Sequence, residues 1–338
     1  MIRVLQVVTY MGRGGLETML MNYYRHMNRD KVQFDFLVHR DFEADYDQEI
    51  LSMGGKLFHV SRLIPWSRGY REKLKSFFHA HPEYKIVHVH QDCLSSVALE
   101  CAKECGVLVR IAHSHNSNQD KNIKYIMKQH YRKKIPQFAT ELFACGKDAG
   151  DWMFTGHRYK ILYNAINTSV YTYSFEKAVT IREKLHVEQN LVIGHVGRFD
   201  AQKNHTFLLD IFSECVNIVP NARLLLVGDG EGRTQIQEKA KSLGLEEKVI
   251  FTGVRNDVAD LLQAMDVFVF PSLYEGVPVT MIEAQASGLP CVISDGVPKD
   301  CVITSGLVTS MKLSDRPCDW AKPVSYTHLR AHETLMNL

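Results

Sequence analysis

The chain has 338 residues, more than twice the commonest domain size, so two domains are expected rather than one small module. With 45% hydrophobic, 10% aromatic and 23% charged residues, its composition excludes a disordered, collagenous or low-complexity protein. The 40 Lys and Arg residues against 38 Asp and Glu give a net charge of +2, which disfavours nucleic acid as a partner.

Membrane and compartment signals are absent from the sequence. No run of about 18 apolar residues occurs, so no transmembrane helix is expected. The N-terminus enters a strand pattern directly, without the charged segment, apolar stretch and cleavage site of a signal peptide. The eight cysteines are scattered, with no Cys-x2-Cys pair. We therefore expect a cytoplasmic protein with reduced thiols.

Apolar runs of strand length alternate with segments of helical periodicity in the first half of the chain. This alternation predicts a parallel sheet covered by helices. The predicted strands are residues 4–9, 32–38, 86–90, 107–112, 141–144 and 160–163.

The alternation stops in a polar stretch after residue 163 and then restarts, which predicts a second sheet. We place the boundary near residue 166, with one Rossmann-like domain over 1–166 and another over 167–323. Ligands of such sheets bind at the carboxyl ends of the strands. The predicted strands of the second domain are residues 191–196, 223–227, 249–251, 267–270 and 291–294.

A glycine-rich segment, Gly12-Arg-Gly-Gly-Leu-Glu17, follows the first predicted strand. It is not the dinucleotide fingerprint, because Gly-x-Gly-x-x-Gly would need a glycine where Glu17 stands. A nicotinamide-dependent dehydrogenase is correspondingly disfavoured. Gly14 and Gly15 either let a ligand approach the backbone or merely turn the chain.

Two His-x-His pairs, His88 with His90 and His113 with His115, stand at the ends of predicted strands. This spacing places both rings of a pair on one face of the strand, as in some metal sites. No further ligand group with convincing spacing accompanies them, so no metal is expected.

Asp45-Tyr-Asp47 imitates an Asp-x-Asp metal-binding motif, but it lies in an acidic loop. We interpret it as solvated charge.

Residues 121–134 form a basic segment with no acid, in the half of the chain that carries 24 basic and 17 acidic residues over positions 1–165. Its basic residues are Lys121, Lys124, Lys128, Arg132, Lys133 and Lys134. Apolar side chains interleave at helical spacing, so the segment is either an amphipathic helix on an anionic membrane surface or a solvated helix with one buried stripe.

Loops after the strands of the second half carry further candidates. Gly197 and Arg198 follow the first of these strands, and Lys203 opens the next helix. The two cations either neutralise a diphosphate or are ordinary surface charges. Gly228 and Gly230 follow the second strand and either admit a ligand or form a tight turn.

The most specific segment follows the predicted strand 267–270. Pro278 suits the start of a helix that Gly288 would end, which places Glu275 in the preceding loop and Glu283 within the helix. The free N–H groups and dipole of a helix beginning near Gly276 would favour a diphosphate. A carboxylate inside an apolar helix needs hydrogen-bond donors such as sugar hydroxyls. The alternative is that Glu275 is a charge at the helix N-terminus and Glu283 lies on an exposed helix face.

Glu275 and Glu283 match the Glu-x7-Glu motif of the retaining glycosyltransferases of family 4, which have the GT-B fold. The run Glu-Ala-Gln-Ala-Ser-Gly-Leu-Pro that begins at Glu283 resembles the bacterial exopolysaccharide and capsular polysaccharide branch. The resemblance extends over most of residues 1–322. It implies an α/β chain of two Rossmann-like domains, an N-terminal acceptor-side domain and a C-terminal donor domain, whose parallel sheets face an interdomain cleft.

The resemblance also implies roles for individual residues. Glu275 would contact the donor hexose and Glu283 the ribose, while Arg198 and Lys203 would neutralise the leaving diphosphate. Either His113 or His115 stands where a histidine of the family contacts the transferred sugar. The remaining donor-site positions are Gly14, Gly15, Gly197, Gly228, Gly230, Val254, Gly276 and Val277.

The implied activity is a retaining, metal-independent transfer of a hexose from a nucleotide diphosphate sugar, expected to be a UDP-sugar, to a cell-surface glycan or lipid-linked oligosaccharide. No cofactor is expected beyond the nucleotide-sugar co-substrate. Because related enzymes extend lipid-linked sugars, segment 121–134 is expected to contact the inner membrane face. The alternatives are a nucleotide-sugar epimerase or hydrolase of the same fold, and a truncated chain that binds nucleotide sugar without turnover.

Residues 324–338 resemble a translated sequencing adapter and show no helical or strand pattern that continues the preceding one. We expect this tail to be foreign and the natural chain to be cut short, so the tail is set apart from the fold.

Overall fold

The structure, a computed structural model, describes the backbone of residues 1–119 and 123–336 and the side chains up to Tyr326 within those ranges. The chain divides into two compact units, Met1–Ala165 and Ile166–Leu338. Each unit has its own sheet and its own helices.

The first unit contains a seven-stranded sheet in which the paired strands are parallel. Its strands are β1 (Ile2–Val7), β2 (Val32–Val38), β3 (Leu57–His59), β4 (Ile86–Val89), β5 (Val109–Ser114), β6 (Glu141–Ala144) and β7 (Lys160–Ile161). Their spatial order is β3-β2-β1-β4-β5-β6-β7, so the direction of strand addition reverses between β1 and β4. Ligands of open parallel sheets bind beside this reversal.

The helices of the first unit connect these parallel strands and cover the sheet. They are α1 (Gly15–His26), α2 (Asp47–Ser52), α3 (Arg68–Ala80), α4 (Ser95–Glu104), α5 (Tyr125–Arg132), α6 (Ile135–Phe138) and α7 (Lys147–Met153). The side chain of Ser67 caps α3 by accepting a hydrogen bond from the Tyr70 N–H, as its position before the helix favours.

The second unit repeats the architecture with six parallel strands. They are β8 (Val192–Val196), β9 (Arg223–Val227), β10 (Val249–Gly253), β11 (Val267–Phe270), β12 (Cys291–Ser294) and β13 (Val308–Met311). The spatial order is β10-β9-β8-β11-β12-β13, with the reversal between β8 and β11. Both of these central strands are buried along their whole length, because helices cover both faces of the sheet.

Helices of the second unit follow the same plan. They are α8 (Thr168–Tyr171), α9 (Phe175–Leu185), α10 (His205–Ile218), α11 (Arg233–Ser242), α12 (Val258–Gln263), α13 (Val279–Ala286) and α14 (Pro317–Met336). Two parallel sheets covered by helices confirm the predicted fold class. No helix in the described part of the chain is long and apolar enough to cross a membrane.

Several strand boundaries differ from prediction. Strand β5 was expected over residues 107–112 but runs over Val109–Ser114, so His113 lies within the strand itself. Strands β3 and β13 were not predicted. The first has only three residues, and the second has a half-exposed pattern at the sheet edge, so neither shows the apolar run that signals a strand.

The expectation that the helical pattern ends before the tail is wrong. Helix α14 continues through Val324 to Met336. Trp320, Ala321 and Val324 are fully buried and belong to the core cluster of the second unit. Val324 lies three and four positions after Ala321 and Trp320, so the three side chains share one helix face. The foreign origin of residues 324–338 stays a prediction.

The basic segment also departs from one continuous helix. Residues 120–122, including Lys121, lie outside the described part of the chain. The remainder contains α5, the short α6 begins only after the segment ends, and none of the α5 residues is buried. Ile123 and Ile126 are 97% and 82% exposed, so the apolar stripe does not face the core.

Candidate functional site

The predicted donor residues of the second unit collect at one edge of its sheet. Gly197, Gly228 and Val254 directly follow β8, β9 and β10, and Glu275 lies in the loop between β11 and α13. Because parallel strands end at the same edge, four neighbouring loops meet there beside the β8–β11 reversal.

Glycines allow two of these loops to approach closely. Gly228 has φ of +131°, and a Cβ added there would lie 2.1 Å from the Gly197 carbonyl oxygen. A Cβ at Gly230 would lie 2.6 Å from the carbonyl oxygen of Phe199. The Phe199 N–H donates to the Asp229 carbonyl at 3.0 Å, which ties the loops together. The glycines at 228 and 230 are therefore required by backbone contact, whatever ligand they also admit.

Gly228→Ala is expected to destabilise the second unit by roughly 2 kcal/mol or more, because it adds a backbone clash to an unfavourable φ. Gly244→Ala is the matched control, since Gly244 has φ of +70° but open space around the added Cβ. Urea unfolding of the three proteins measures the difference. Equal losses for both variants would show that backbone conformation alone, and not the contact with Gly197, requires glycine at 228.

Glu275 is only 4% exposed and is held by two side chains of the short 3-10 turn after β8. The Lys203 ammonium lies 2.7 Å from Glu275 Oε1, and the Gln202 amide donates to Oε2 at 3.1 Å. The same amide donates to the Tyr274 carbonyl at 2.9 Å. Lys203 thus lies beside Glu275, and the two form an ion pair.

Glu283 lies within α13 as predicted and is 5% exposed. The Tyr171 hydroxyl donates to its Oε1 at 2.7 Å. Burial raises the pKa of Glu283, and this hydrogen bond partly opposes the rise because it stabilises the ionised carboxylate.

The other predicted donor residues of the second unit lie in the loops that follow its strands. Helix α13 begins at Val279 with Pro278 as the residue before it, so Gly276 and Val277 precede the helix start. Arg198 is exposed, and its guanidinium has no hydrogen-bond partner among the residues that the structure describes. Val254 is 55% exposed and directly follows Gly253, the last residue of β10.

In the first unit, the glycine segment joins β1 to α1. Gly14 is the residue before α1 and Gly15 is its first residue. A Cβ added at Gly15 would meet nothing within 4 Å, so the helix start borders open space. The helix N-terminus therefore presents backbone N–H groups at the edge where β1 ends.

The structure brings the two histidine pairs together into one cluster. His88 and His113 stack with ring centroids 5.1 Å apart and planes 4° from parallel. His90 Nδ1 and His115 Nε2 share a hydrogen bond of 2.9 Å, and Gln6 Oε1 lies 2.8 Å from His90 Nε2. Sequence spacing predicts each pair but not their contact, which follows from the pairing of β4 with β5.

Burial lowers the pKa of all four clustered histidines, to about 3 for His88 and His115 and well below the ordinary value for His90 and His113. The rings are therefore neutral at pH 7. His113 is 2% exposed and neither of its ring nitrogens has a partner in the described chain, whereas His115 is partly exposed.

Ring nitrogens of His88, His90 and His113 lie within 4.8 Å of one another, which raises the question of a metal. Ligand lone pairs lie in the ring plane, and the nearly parallel planes of His88 and His113 do not direct theirs to one point. The present arrangement fits packed neutral rings better than a metal site. Independence of a metal stays a prediction.

Sequence reasoning missed three polar residues near these sites. Gln202 and Tyr171 hold the two carboxylates, and only contacts across the fold identify them. Asp92 follows β4 and has φ of 50°, and burial raises its pKa to about 6. An acid directly after a His-x-His strand was the available signal for Asp92.

Each of the two units matches a known protein family. Residues 13–170 match the family described as Glycosyltransferase Family 4, and residues 190–324 match the family described as Glycosyl transferases group 1. The two matches divide near the junction of the units.

Individual relatives extend the match to nearly the whole chain. EpsF of Bacillus subtilis is 38% identical over 337 residues, covering 96% of this chain and 87% of EpsF. The Escherichia coli UDP-Gal:alpha-D-GlcNAc-diphosphoundecaprenol alpha-1,3-galactosyltransferase is 26% identical over 65% of this chain and 60% of its own.

A solved structure shares the fold. HepE of Anabaena in complex with UDP-glucose superimposes with a TM-score of 0.77 at 19% identity, covering 100% of both chains. This similarity and the two sheets show the GT-B fold, and the family matches together with the EpsF similarity show that the chain belongs to glycosyltransferase family 4.

Proposed function

We propose that this glycosyltransferase moves a hexose from a UDP-sugar to a growing cell-surface glycan, with retention at the anomeric carbon and without a metal. The observation that carries the proposal is the pair of buried carboxylates, Glu275 and Glu283, at the carboxyl edge of the second sheet. Buried carboxylates suit the hydroxyl groups of a sugar and a ribose, because a hydroxyl can donate a hydrogen bond to them.

Charge stabilisation of the departing diphosphate is the proposed source of rate acceleration. Arg198 offers an exposed guanidinium, and Lys203 offers an ammonium that a phosphate can share with Glu275. The start of α13 adds oriented N–H groups after Gly276 and Val277. Cations of the chain would thereby supply the positive charge that a metal supplies elsewhere.

The roles of the two motif acids follow from their surroundings. Glu275 accepts from Lys203 and Gln202, so its carboxylate is fixed before the donor hexose arrives. Glu283 lies within α13, about one helix turn after the helix begins. We propose that it accepts a hydrogen bond from a ribose hydroxyl. His113 or His115, neutral at pH 7, would hydrogen-bond the transferred sugar without adding charge.

A lipid-linked acceptor is the proposed partner. The Escherichia coli relative is named for a diphosphoundecaprenol acceptor, and the basic α5 with exposed Ile126 suits an anionic membrane surface. We therefore propose a cytoplasmic enzyme that works at the inner membrane face, with the nucleotide sugar as its co-substrate.

The test is calorimetric titration with UDP, GDP and ADP, and then with their sugars, in excess EDTA. We expect selective micromolar binding of UDP, with Glu283→Ala reducing the affinity by about tenfold or more. Glu238→Ala, which removes an exposed acid of α11, is the control and should bind as the unmodified chain does.

Other outcomes separate the alternatives. Binding of UDP-sugar with hydrolysis or epimerisation, and no transfer to a lipid-linked acceptor, would identify a nucleotide-sugar hydrolase or epimerase. Binding without any turnover would identify a chain that only binds the donor. A folded protein that binds none of the three nucleotides would refute the transferase proposal.

A further inference from the structure

One buried carboxylate of the donor site has a single protein donor. Glu283 Oε1 accepts from the Tyr171 hydroxyl at 2.7 Å. Its Oε2 has no hydrogen-bond partner in the chain as far as the structure describes it, although the residue is only 5% exposed. A carboxylate so deeply buried needs further donors to stay ionised, and one oxygen remains available for them.

Tyr171 is itself held from a second helix. It is the last residue of α8, whose first turn is capped by Asn167 accepting from the Ser169 N–H at 3.2 Å. The Gln263 amide of α12 donates to the Tyr171 carbonyl at 3.2 Å, while Gln263 Oε1 accepts from the Ser174 N–H at 2.9 Å. These bonds fix the backbone on both sides of Tyr171.

The anchored backbone restricts where the hydroxyl can point. Because α8 is short and its end is bound to Gln263, the Tyr171 side chain approaches α13 from a defined direction. Its hydroxyl then occupies Oε1 and limits rotation of the Glu283 carboxylate about its last bond. The second oxygen, Oε2, takes no part in this bond.

We propose that Tyr171 is a positioning residue, which holds the Glu283 carboxylate so that Oε2 receives a ribose hydroxyl of the donor nucleotide. This inference rests on the proposed function, because it assigns a partner to the ribose-binding acid. Tyr171 acts through Glu283 and touches no reacting atom.

Two other roles of Tyr171 would give different results. If the Tyr171 hydroxyl merely stands in for a ribose hydroxyl and is displaced on binding, its removal should strengthen nucleotide binding. If Tyr171 only packs the helices, its removal should weaken binding of every nucleotide equally. The ribose hydroxyls therefore provide the readout.

The experiment compares UDP with 2′,3′-dideoxy-UDP by calorimetry on the full chain and on Tyr171→Phe. The unmodified chain should prefer UDP by about tenfold or more. Tyr171→Phe should lower the affinity for UDP by roughly fivefold to tenfold and leave the dideoxy affinity within about twofold. Tyr173→Phe, at a tyrosine that is 51% exposed, is the matched control and should change neither affinity.

Three results would overturn the inference. Equal losses for both nucleotides would make Tyr171 a packing residue, and tighter UDP binding by Tyr171→Phe would make it a stand-in. If the chain bound UDP no more tightly than the dideoxy form, Glu283 would not contact the ribose hydroxyls, although a nucleotide site would still be present. Failure of the unmodified chain to bind any nucleotide would instead refute the proposed function, and Tyr171 would lose its role with it.

Discussion

Acidification from about pH 6.5 to 5 is expected to unfold the chain, because seven histidines with pKa values lowered by burial must take up protons. In every one, loss of hydration of the charged ring is the largest cause. The seven are His39, His88, His90, His113, His115, His195 and His205.

The direction follows from proton binding. With pKa values of about 4 for His195 and about 2 for His205, the folded chain binds fewer protons than the unfolded chain below the ordinary histidine pKa of about 6.5. Stability is therefore fully present above about pH 6.5 and is lost as the pH falls. Each histidine contributes up to about 1.4 kcal/mol per pH unit, so several together rival a total stability of roughly 5–15 kcal/mol.

The measurement is the midpoint pH of acid unfolding, followed by circular dichroism. His205→Leu should move the midpoint to lower pH, since both ring nitrogens of His205 lack partners among the described residues and the ring stacks on Phe199. His157→Gln changes an exposed histidine and should leave the midpoint in place. A midpoint below about pH 4 in the unmodified chain would show that these sites hydrate or open without unfolding.

The fold class and the local structure around the motif acids could be predicted from the sequence. Alternation of apolar runs with helical segments predicts two parallel sheets, because a strand buried on both faces has to be apolar throughout, as β11 is. The motif positions Glu275 and Glu283 are also predicted with their local structure, a loop and a helix. Both results depend on signals that are local in the chain.

What sequence reasoning lacks are contacts between distant segments. The His90–His115 hydrogen bond joins residues 25 positions apart, and the Tyr171–Glu283 bond joins residues 112 apart. Neither leaves a periodic pattern. The exposed edge strand β13 and the buried face of α14 were missed for a related reason, since their burial is decided by neighbouring elements and not by their own apolar content.

Lys203→Met is expected to lower turnover by about a thousandfold and to destabilise the second unit by about 3 kcal/mol. The loss of turnover follows from removing a cation that stabilises the leaving diphosphate. The loss of stability follows because Glu275, whose side chain is 6% exposed, loses the ammonium that lies 2.7 Å away. Turnover with a UDP-sugar and urea unfolding measure the two effects.

A double variant separates structure from chemistry. Adding Glu275→Gln to Lys203→Met also removes the buried carboxylate that pairs with Lys203, so stability should recover by about 2 kcal/mol while turnover stays low. Lys177→Met, which breaks a surface ion pair with Asp260 at 3.1 Å, is the control and should cost less than about 0.5 kcal/mol. If the double variant regained turnover along with stability, or if Lys203→Met kept turnover within tenfold, Lys203 would serve only to pair with Glu275, and the stabilisation of the diphosphate would have to come from Arg198 and the start of α13.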